Sequence, residues 1–149
     1  MILFFDTNVL VDHALTRSTG QALEISFIIY WAKREQIQLV ISSGSLYTFT
    51  YVLHKQGIRQ IELKDKLIEY LSMVTIANSD KNTFLSGLNS KFKDLEDSYQ
   101  YMTAVQEKCD YLITSNISDF KTNKKDNIKT ITPLDFVTNI IGKKKGIDY

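Results

Sequence analysis

Short apolar segments and longer segments of mixed polarity alternate along the chain. Short segments rich in apolar and β-branched residues suit buried strands, and such segments lie at 1–5, 37–41, 74–77, 111–114 and 130–132. Apolar residues at helical spacing predict helices at about 7–15, 21–35, 43–55, 61–71, 80–88, 95–108 and 133–140. Strands that alternate with helices predict a parallel sheet with helices on both faces. We therefore expect an α/β fold, a three-layer α/β/α sandwich with a central, mostly parallel sheet.

Local signals support several of these boundaries. Ser42 and Ser43 are good N-cap residues for the helix that follows the second strand, and Gly57 suits the position after its end. Pro133 suits the first turn of the last helix. In the helix over 95–108, we expect Tyr99, Met102 and Val105 on the buried face, with Tyr101 or Ala104 as further candidates.

Length and composition indicate one domain. The chain has 149 residues, which we divide into a domain at 1–141 and a flexible, basic C-terminal tail at 142–149. Its formal net charge of +1 predicts no global attraction to nucleic acid, so any such binding needs a local patch. The single cysteine, Cys109, has no partner for a disulfide and no zinc-like spacing. With no signal-peptide pattern and no membrane-length apolar run, we expect a soluble, cytoplasmic protein.

Carboxylates follow two of the predicted strands. Asp6 ends the first apolar run, Asp119 follows the run at 111–114, and Asp94 and Asp97 open the helix between them. Each has a simpler explanation by itself, since Asp6 can cap a helix and acids are favoured in a first helical turn. However, the carboxyl ends of parallel strands share one edge of a sheet. Carboxylates that converge there repel one another unless a cation binds or their pKa values rise. The pattern predicts a site for a hard divalent cation.

Three motifs in this order resemble the PIN-domain family, of the kind found as VapC-type toxins. The opening motif is Asp6-Thr7-Asn8-Val9-Leu10, and the acidic helix start is Asp94-Leu95-Glu96-Asp97-Ser98. The closing motif is Thr114-Ser115-Asn116-Ile117-Ser118-Asp119-Phe120. The resemblance extends from residue 1 to about residue 140 and implies a Mg²⁺- or Mn²⁺-dependent ribonuclease.

The resemblance also implies roles for single residues. The metal-binding carboxylates would be Asp6, Asp97 and Asp119, with Asn116 and Thr7 orienting ligands or water beside them. Glu96 and Asp94 would bind the metal directly or contact the residues that bind it. Lys121 and Lys124 follow the closing motif, and they could bind the phosphate backbone or simply form a solvated loop.

The helix after the second strand departs from the family pattern. Many PIN domains carry a glutamate early in this helix, whereas the segment from Ser42 to Thr48 contains no acid. Thr48 or a nearby serine occupies the expected place. A hydroxyl adds no negative charge, which predicts weaker metal binding or greater reliance on Glu96 and Asp94.

Two other functions stay open at this point. The chain could be an inactive PIN fold that binds RNA or protein without cleavage, a reading that the missing acid favours. It could also be a phosphohydrolase of the haloacid dehalogenase type, although that family needs a second aspartate where this chain has Asn8. For the nuclease, the expected partners are RNA, a small antitoxin protein and a second copy of the chain in a homodimer, with no membrane.

Overall fold

The computed structural model describes residues 1–18, 21–120 and 128–149. Its strands are β1 (Ile2–Phe5), β2 (Gln38–Ser42), β3 (Thr75–Ala77), β4 (Tyr111–Ile113) and β5 (Lys129–Ile131). Its α-helices are α1 (Thr7–Leu15), α2 (Ala22–Arg34), α3 (Ser43–Lys55), α4 (Gln60–Met73), α5 (Lys81–Leu88), α6 (Leu95–Gln106) and α7 (Pro133–Asp135). A 3₁₀ turn covers Ile117–Phe120, and α7 continues as a π-helical segment, Phe136–Ile141.

The strands form one parallel sheet with the order β3-β2-β1-β4-β5. The central strand β1 pairs with β2 on one side and with β4 on the other, where Phe5 lies opposite Ile113. The chain winds outward from β1 in one direction and then returns to build β4 and β5 on the other side. The α/β sandwich predicted from the sequence is confirmed, and the edge between β1 and β4 is its topological switch point.

Each face of the sheet has its own apolar core, because successive strand residues point to opposite faces. Leu3 and Phe5 of β1 pack in the cluster that includes apolar residues of α1, α2, α3 and α4. Phe4, between them, packs in a second cluster with Leu112 and with Tyr101 and Ala104 of α6. Because both of its faces are covered, the central strand β1 is apolar throughout and forms a continuous apolar run in the sequence.

The buried face of α6 agrees only in part with the expected one. Tyr101 and Ala104 are buried, whereas Tyr99, Met102 and Val105 are only partly so. The same helix also buries polar side chains, namely Ser98, Gln100 and Thr103. Helix α5 packs closely on α6 at Gly87, where a Cβ atom would lie 2.8 Å from the Ser98 hydroxyl. Tyr99 also lies at this contact, where its ring is 4.9 Å from the Phe84 ring of α5. The small and polar residues of α6 that pack here were not predicted.

The C-terminal residues, predicted to form a flexible tail, contact α2 in the structure. The Tyr149 ring lies 5.1 Å from the Phe27 ring, centroid to centroid. The Lys145 ammonium lies 2.9 Å from a carboxylate oxygen of Glu24, which is buried. Among the described residues, no helix has both the length and the apolar character needed to cross a bilayer.

Candidate active site

The acidic site lies at the switch point between β1 and β4. Asp6 directly follows β1, and its backbone N–H donates to the carbonyl of Ile113, the last residue of β4, over 3.0 Å. Its backbone is extended, so the chain turns into α1 only after it. Asp119 lies in the 3₁₀ turn that follows β4. Parallel pairing of the two strands thus brings their carboxyl ends, and the acids behind them, to one edge.

A chain of hydrogen bonds connects these two aspartates. The buried Thr114 hydroxyl donates to Asp6 Oδ2 over 2.9 Å. The hydroxyl oxygen of Thr114 accepts from the backbone N–H of Asn116 over 3.1 Å, and the Asn116 side-chain amide donates to the Asp119 carboxylate. Ser118 donates in turn to the Asn116 side-chain oxygen over 3.0 Å. The closing motif therefore orients Asp119 and Asn116 relative to Asp6.

The first turn of α6 supplies the next acids. Asp94 is the N-cap residue, and its side chain accepts from the backbone N–H of Asp97 over 3.0 Å. Asp97 is half-buried. The pKa of Asp97 is raised to about 7, chiefly by burial and then by the charges of Asp6, Asp94, Asp119 and Glu96. The structure therefore brings Asp97 into electrostatic range of every other carboxylate predicted for the site.

Asp6 is the most deeply buried of the acids, with 2% of its surface exposed. Burial raises its pKa to about 6. The Thr114 hydroxyl and the N–H groups of Thr7 and Asn8 oppose this rise by stabilising the charged form, whereas the charge of Glu96 adds to it. Raised pKa values in a cleft are typical of functional sites.

An open cleft of about 470 Å³ lies over the more exposed acids. Its lining includes Asp94, Asp97 and Asp119, with Lys91 and Lys93 beside them. In the part of the chain that the structure describes, no lysine or arginine forms an ion pair with Asp6, Asp97 or Asp119. Within the same residues, no three acidic, histidine or cysteine side chains form a ready metal-binding cluster.

The family model of the PIN domain matches residues 3–118. The chain belongs to the PIN-domain family. The match contains Asp6, the acidic start of α6 and Asn116, and it ends one residue before Asp119. None of the curated proteins compared with this PIN domain matches it.

Solved structures have the same fold. The VapBC2 complex from Rickettsia felis bound to a DNA fragment from its promoter contains a similar chain, with TM-score 0.67 and 17% identity over 89% of this chain and 98% of that one. A toxin–antitoxin complex from Klebsiella pneumoniae gives TM-score 0.63 and 23% identity over 88% and 97%. VapC20 from Mycobacterium tuberculosis, a sarcin–ricin loop cleaving toxin, gives 0.58 and 10% over 83% and 98%. At these identities the likeness concerns the fold.

The start of α3 carries hydroxyls where many PIN domains carry an acid. Ser42 is its N-cap, and its side chain accepts from the backbone N–H of Ser45 over 2.9 Å. Thr48 is partly buried one turn further along the helix. This side of the PIN-domain site therefore contributes no negative charge.

Sequence reasoning missed a buried ring of hydrogen bonds beside Asp6. The Gln100 amide and the hydroxyls of Thr7, Ser45 and Ser42 form it, and all four side chains are buried. The Thr7 hydroxyl, which we expected to orient ligands or water, is engaged in this ring. The sequence feature that could have indicated this ring was Gln100, a glutamine one turn after Asp97 in the same helix. The predicted phosphate-binding residues Lys121 and Lys124 lie outside the described residues.

Proposed function

We propose that this PIN domain is a metal-dependent endoribonuclease that hydrolyses RNA phosphodiester bonds as the toxin of a toxin–antitoxin pair. One observation carries the proposal: Asp94, Asp97 and Asp119 line one cleft at the carboxyl edge of the sheet, and the charges of Asp6, Asp94, Asp119 and Glu96 all raise the pKa of Asp97. Such an arrangement is unfavourable by itself, and it becomes favourable when a divalent cation binds.

The donor chemistry fits Mg²⁺ or Mn²⁺. Both are hard cations that prefer oxygen ligands, and the candidate ligands Asp6, Asp97, Asp119 and Glu96 are all carboxylates. Mg²⁺ usually binds through one or two carboxylates, with water and substrate phosphate completing its shell. A site without three converging ligands is compatible with that mode of binding. When bound, the ion would lower the pKa of an attacking water and neutralise charge on the phosphoryl oxygens.

The protein residues have separate tasks in this proposal. Asp6 and Asp97 would hold the cation, with Asp6 fixed by the Thr114 hydroxyl. Asp119, oriented by Asn116, would be a further ligand of the ion or of a water bound to it. Glu96 and Asp94 add negative charge at the first turn of α6. Because Asp6 and Asp97 have raised pKa values, their affinity for the cation increases as the pH rises through 6 to 7.

RNA binding would use local positive charge, because the chain as a whole is nearly neutral. Lys91 and Lys93 line the cleft beside the acids, where they can contact phosphates on either side of the scissile bond. Lys121 and Lys124 extend this proposal to the segment after the 3₁₀ turn.

From the proposed toxin role we also infer a location and protein partners. We expect the protein to act in the cytoplasm, where its RNA substrate is present. We expect a small antitoxin to occupy or cover the acidic cleft, and a homodimer is a further expectation. The similar chains in solved toxin–antitoxin complexes support the antitoxin proposal.

A second candidate function is a binding module that does not cleave RNA. The observation in its favour is the start of α3, where Thr48 and the serines replace the acid found in many PIN domains. A site with less charge binds Mg²⁺ more weakly, and RNA or protein binding would then be the remaining function.

Incubation with a mixed RNA pool distinguishes the two candidates. We expect wild-type protein with Mn²⁺ to cleave the RNA, and excess EDTA to prevent this. Asp6→Asn and Asp119→Asn should each abolish cleavage while the circular dichroism spectrum stays unchanged. Cleavage that persists in both variants would refute the assigned site. RNA binding without cleavage by the wild-type protein would support the second candidate.

A further inference from the structure

We propose that Gln100 is a positioning residue of the acidic site: through a closed ring of hydrogen bonds it sets the separation between Asp6 and Asp97. This inference rests on the proposed function for its chemical meaning. The hydrogen bonds that support it all lie between buried side chains of the described residues.

The ring has a consistent direction of donors and acceptors. Gln100 Nε2 donates to Thr7 Oγ1 over 2.8 Å, and Thr7 Oγ1 donates to Ser45 Oγ over 2.9 Å. Ser45 Oγ donates to Gln100 Oε1 over 2.9 Å, which closes the ring. Ser42 adds a second donor to Gln100 Oε1 over 3.2 Å. A buried polar network that satisfies its members favours one arrangement of the elements it joins.

The ring joins the elements that carry the two aspartates. Thr7 directly follows Asp6 in the chain, so fixing Thr7 restrains the turn from β1 into α1. Gln100 lies three residues after Asp97, on the same side of α6. A shift or rotation of α6 would therefore break the contact of Gln100 with Thr7 and displace Asp97 relative to Asp6. Ser42 and Ser45 connect Thr7 and Gln100 to the start of α3.

The ring is also uncharged, which matters beside crowded carboxylates. A charged side chain here would perturb the pKa values of Asp6 and Asp97, whereas hydroxyls and an amide provide directional contacts without net charge. Replacing a residue that hydrogen-bonds and orients a metal ligand typically changes the metal affinity about 10–100-fold. Gln100 should act in this way, although its amide is buried and does not reach the cleft.

The test compares Gln100→Met with the control Thr103→Val. Methionine keeps the length of the side chain but removes both polar groups. Thr103 is an equally buried residue of α6 whose hydroxyl bonds the Ser79 hydroxyl and the Tyr99 carbonyl, outside the ring. Both changes remove buried polar contacts from the same helix, so Thr103→Val controls for the loss of polar contacts in α6 outside the ring.

Two measurements follow. By calorimetric titration, Gln100→Met should weaken Mn²⁺ binding about 10-fold or more, and Thr103→Val should change it less than about twofold. In metal-free crystal structures, the Cα distance between Asp6 and Asp97 should change by more than about 0.5 Å in Gln100→Met only. If Gln100→Met does not fold, Ser45→Ala opens the ring at another point and should weaken Mn²⁺ binding in the same way.

The outcomes separate this inference from the proposed function. Wild-type Mn²⁺ affinity together with an unchanged Asp6–Asp97 distance in the ring variants would overturn the inference. Equal losses in Thr103→Val would also overturn it, since they would show a general effect of destabilising α6. If the wild-type protein binds no Mn²⁺, the proposed metal site is refuted, and the metal-free distances still decide whether Gln100 positions the two aspartates.

Discussion

The Thr114 hydroxyl donates a hydrogen bond of 2.9 Å to the carboxylate of Asp6, a residue 108 positions earlier in the chain. Both side chains are buried at the ends of adjacent parallel strands. The bond lowers the pKa of Asp6 and so opposes the larger effect of burial. It makes the deepest acid of the site easier to ionise at neutral pH, as cation binding requires.

Replacing Thr114 by valine should raise the pKa of Asp6 above its present value of about 6. The reason is that the ionised carboxylate loses a donor while its burial is unchanged. A ¹³C NMR titration of the aspartate carboxyl carbons measures this pKa. Thr114→Ser keeps the donor and is the control. An Asp6 pKa that is equal in Thr114→Val and in the control would contradict the role of this hydrogen bond.

The metal-free protein should lose stability as the pH rises from about 4 to above 7. Folding raises the pKa of Asp6 from 3.8 to about 6 and that of Asp97 from 3.8 to about 7. A raised pKa contributes stability below the unfolded value, which is lost as the pH passes the folded value. For the buried Asp6 the loss is of the order of 3 kcal/mol, at about 1.36 kcal/mol per unit. Asp97 acts in the same direction and is partly screened by solvent.

Urea unfolding of the metal-free protein at pH 5 and pH 8 measures this effect. Asp6→Asn removes the ionisable group and retains an acceptor for Thr114, so its stability should fall less than that of the wild-type protein over the interval. Added Mn²⁺ should restore the stability of the wild-type protein at pH 8, because ligand binding favours the folded state. Equal pH dependence in both proteins would show that Asp6 does not titrate in this range.

Two substitutions in the first turn of α6 separate metal binding from helix capping. Asparagine caps a helix about as well as aspartate, so Asp94→Asn should preserve α6 and reduce RNA cleavage less than about fivefold. Asp97→Asn should reduce kcat/KM by about 100-fold or more, which corresponds to about 2.7 kcal/mol of lost transition-state stabilisation. Steady-state cleavage of a fluorescent RNA oligonucleotide measures both. Similar losses in the two variants would assign the effect to overall charge.

Introducing an acid at the start of α3 should strengthen the site. Thr48→Glu places a carboxylate where many PIN domains have one, and we expect Mn²⁺ binding to tighten about 10-fold, the scale of one added charge-assisted ligand. Tyr47→Glu is the matched control, because it adds the same charge at a side chain that is 81% exposed. If both variants tighten binding equally, the gain reflects net charge and not the position of Thr48.

The three layers of the fold and the carboxyl edge of the sheet could be predicted from the sequence because they depend on local signals. Continuous apolar runs identified β1 and β4, and the acids that follow them lie together because the strands are parallel neighbours. The strand bounds were correct to about one residue. The buried face of α6 was predicted in part: Tyr101 and Ala104 are buried, and Met102 and Val105 pack against the same cluster. Gln100 and Thr103 were missed because apolar periodicity gives no weight to polar residues that are buried with their hydrogen bonds satisfied by other elements.

The ring around Gln100 could not be predicted for the same reason. Its members come from three elements that are far apart in the chain, and no local pattern distinguishes a buried serine from an exposed one. Ser42 was recognised only as an N-cap, although its hydroxyl also bonds Gln100. Long-range polar contacts of this kind become visible only when the packing of α1, α3 and α6 is known.

Calorimetric titration of the purified protein with Mn²⁺ at pH 8 is the most direct measurement. We predict saturable binding to the wild-type protein, its loss in Asp6→Asn and Asp97→Asn, and its retention in Asp94→Asn. Absence of binding at millimolar Mn²⁺, or equal binding by wild-type protein and Asp97→Asn, would contradict a cation site between β1, β4 and α6.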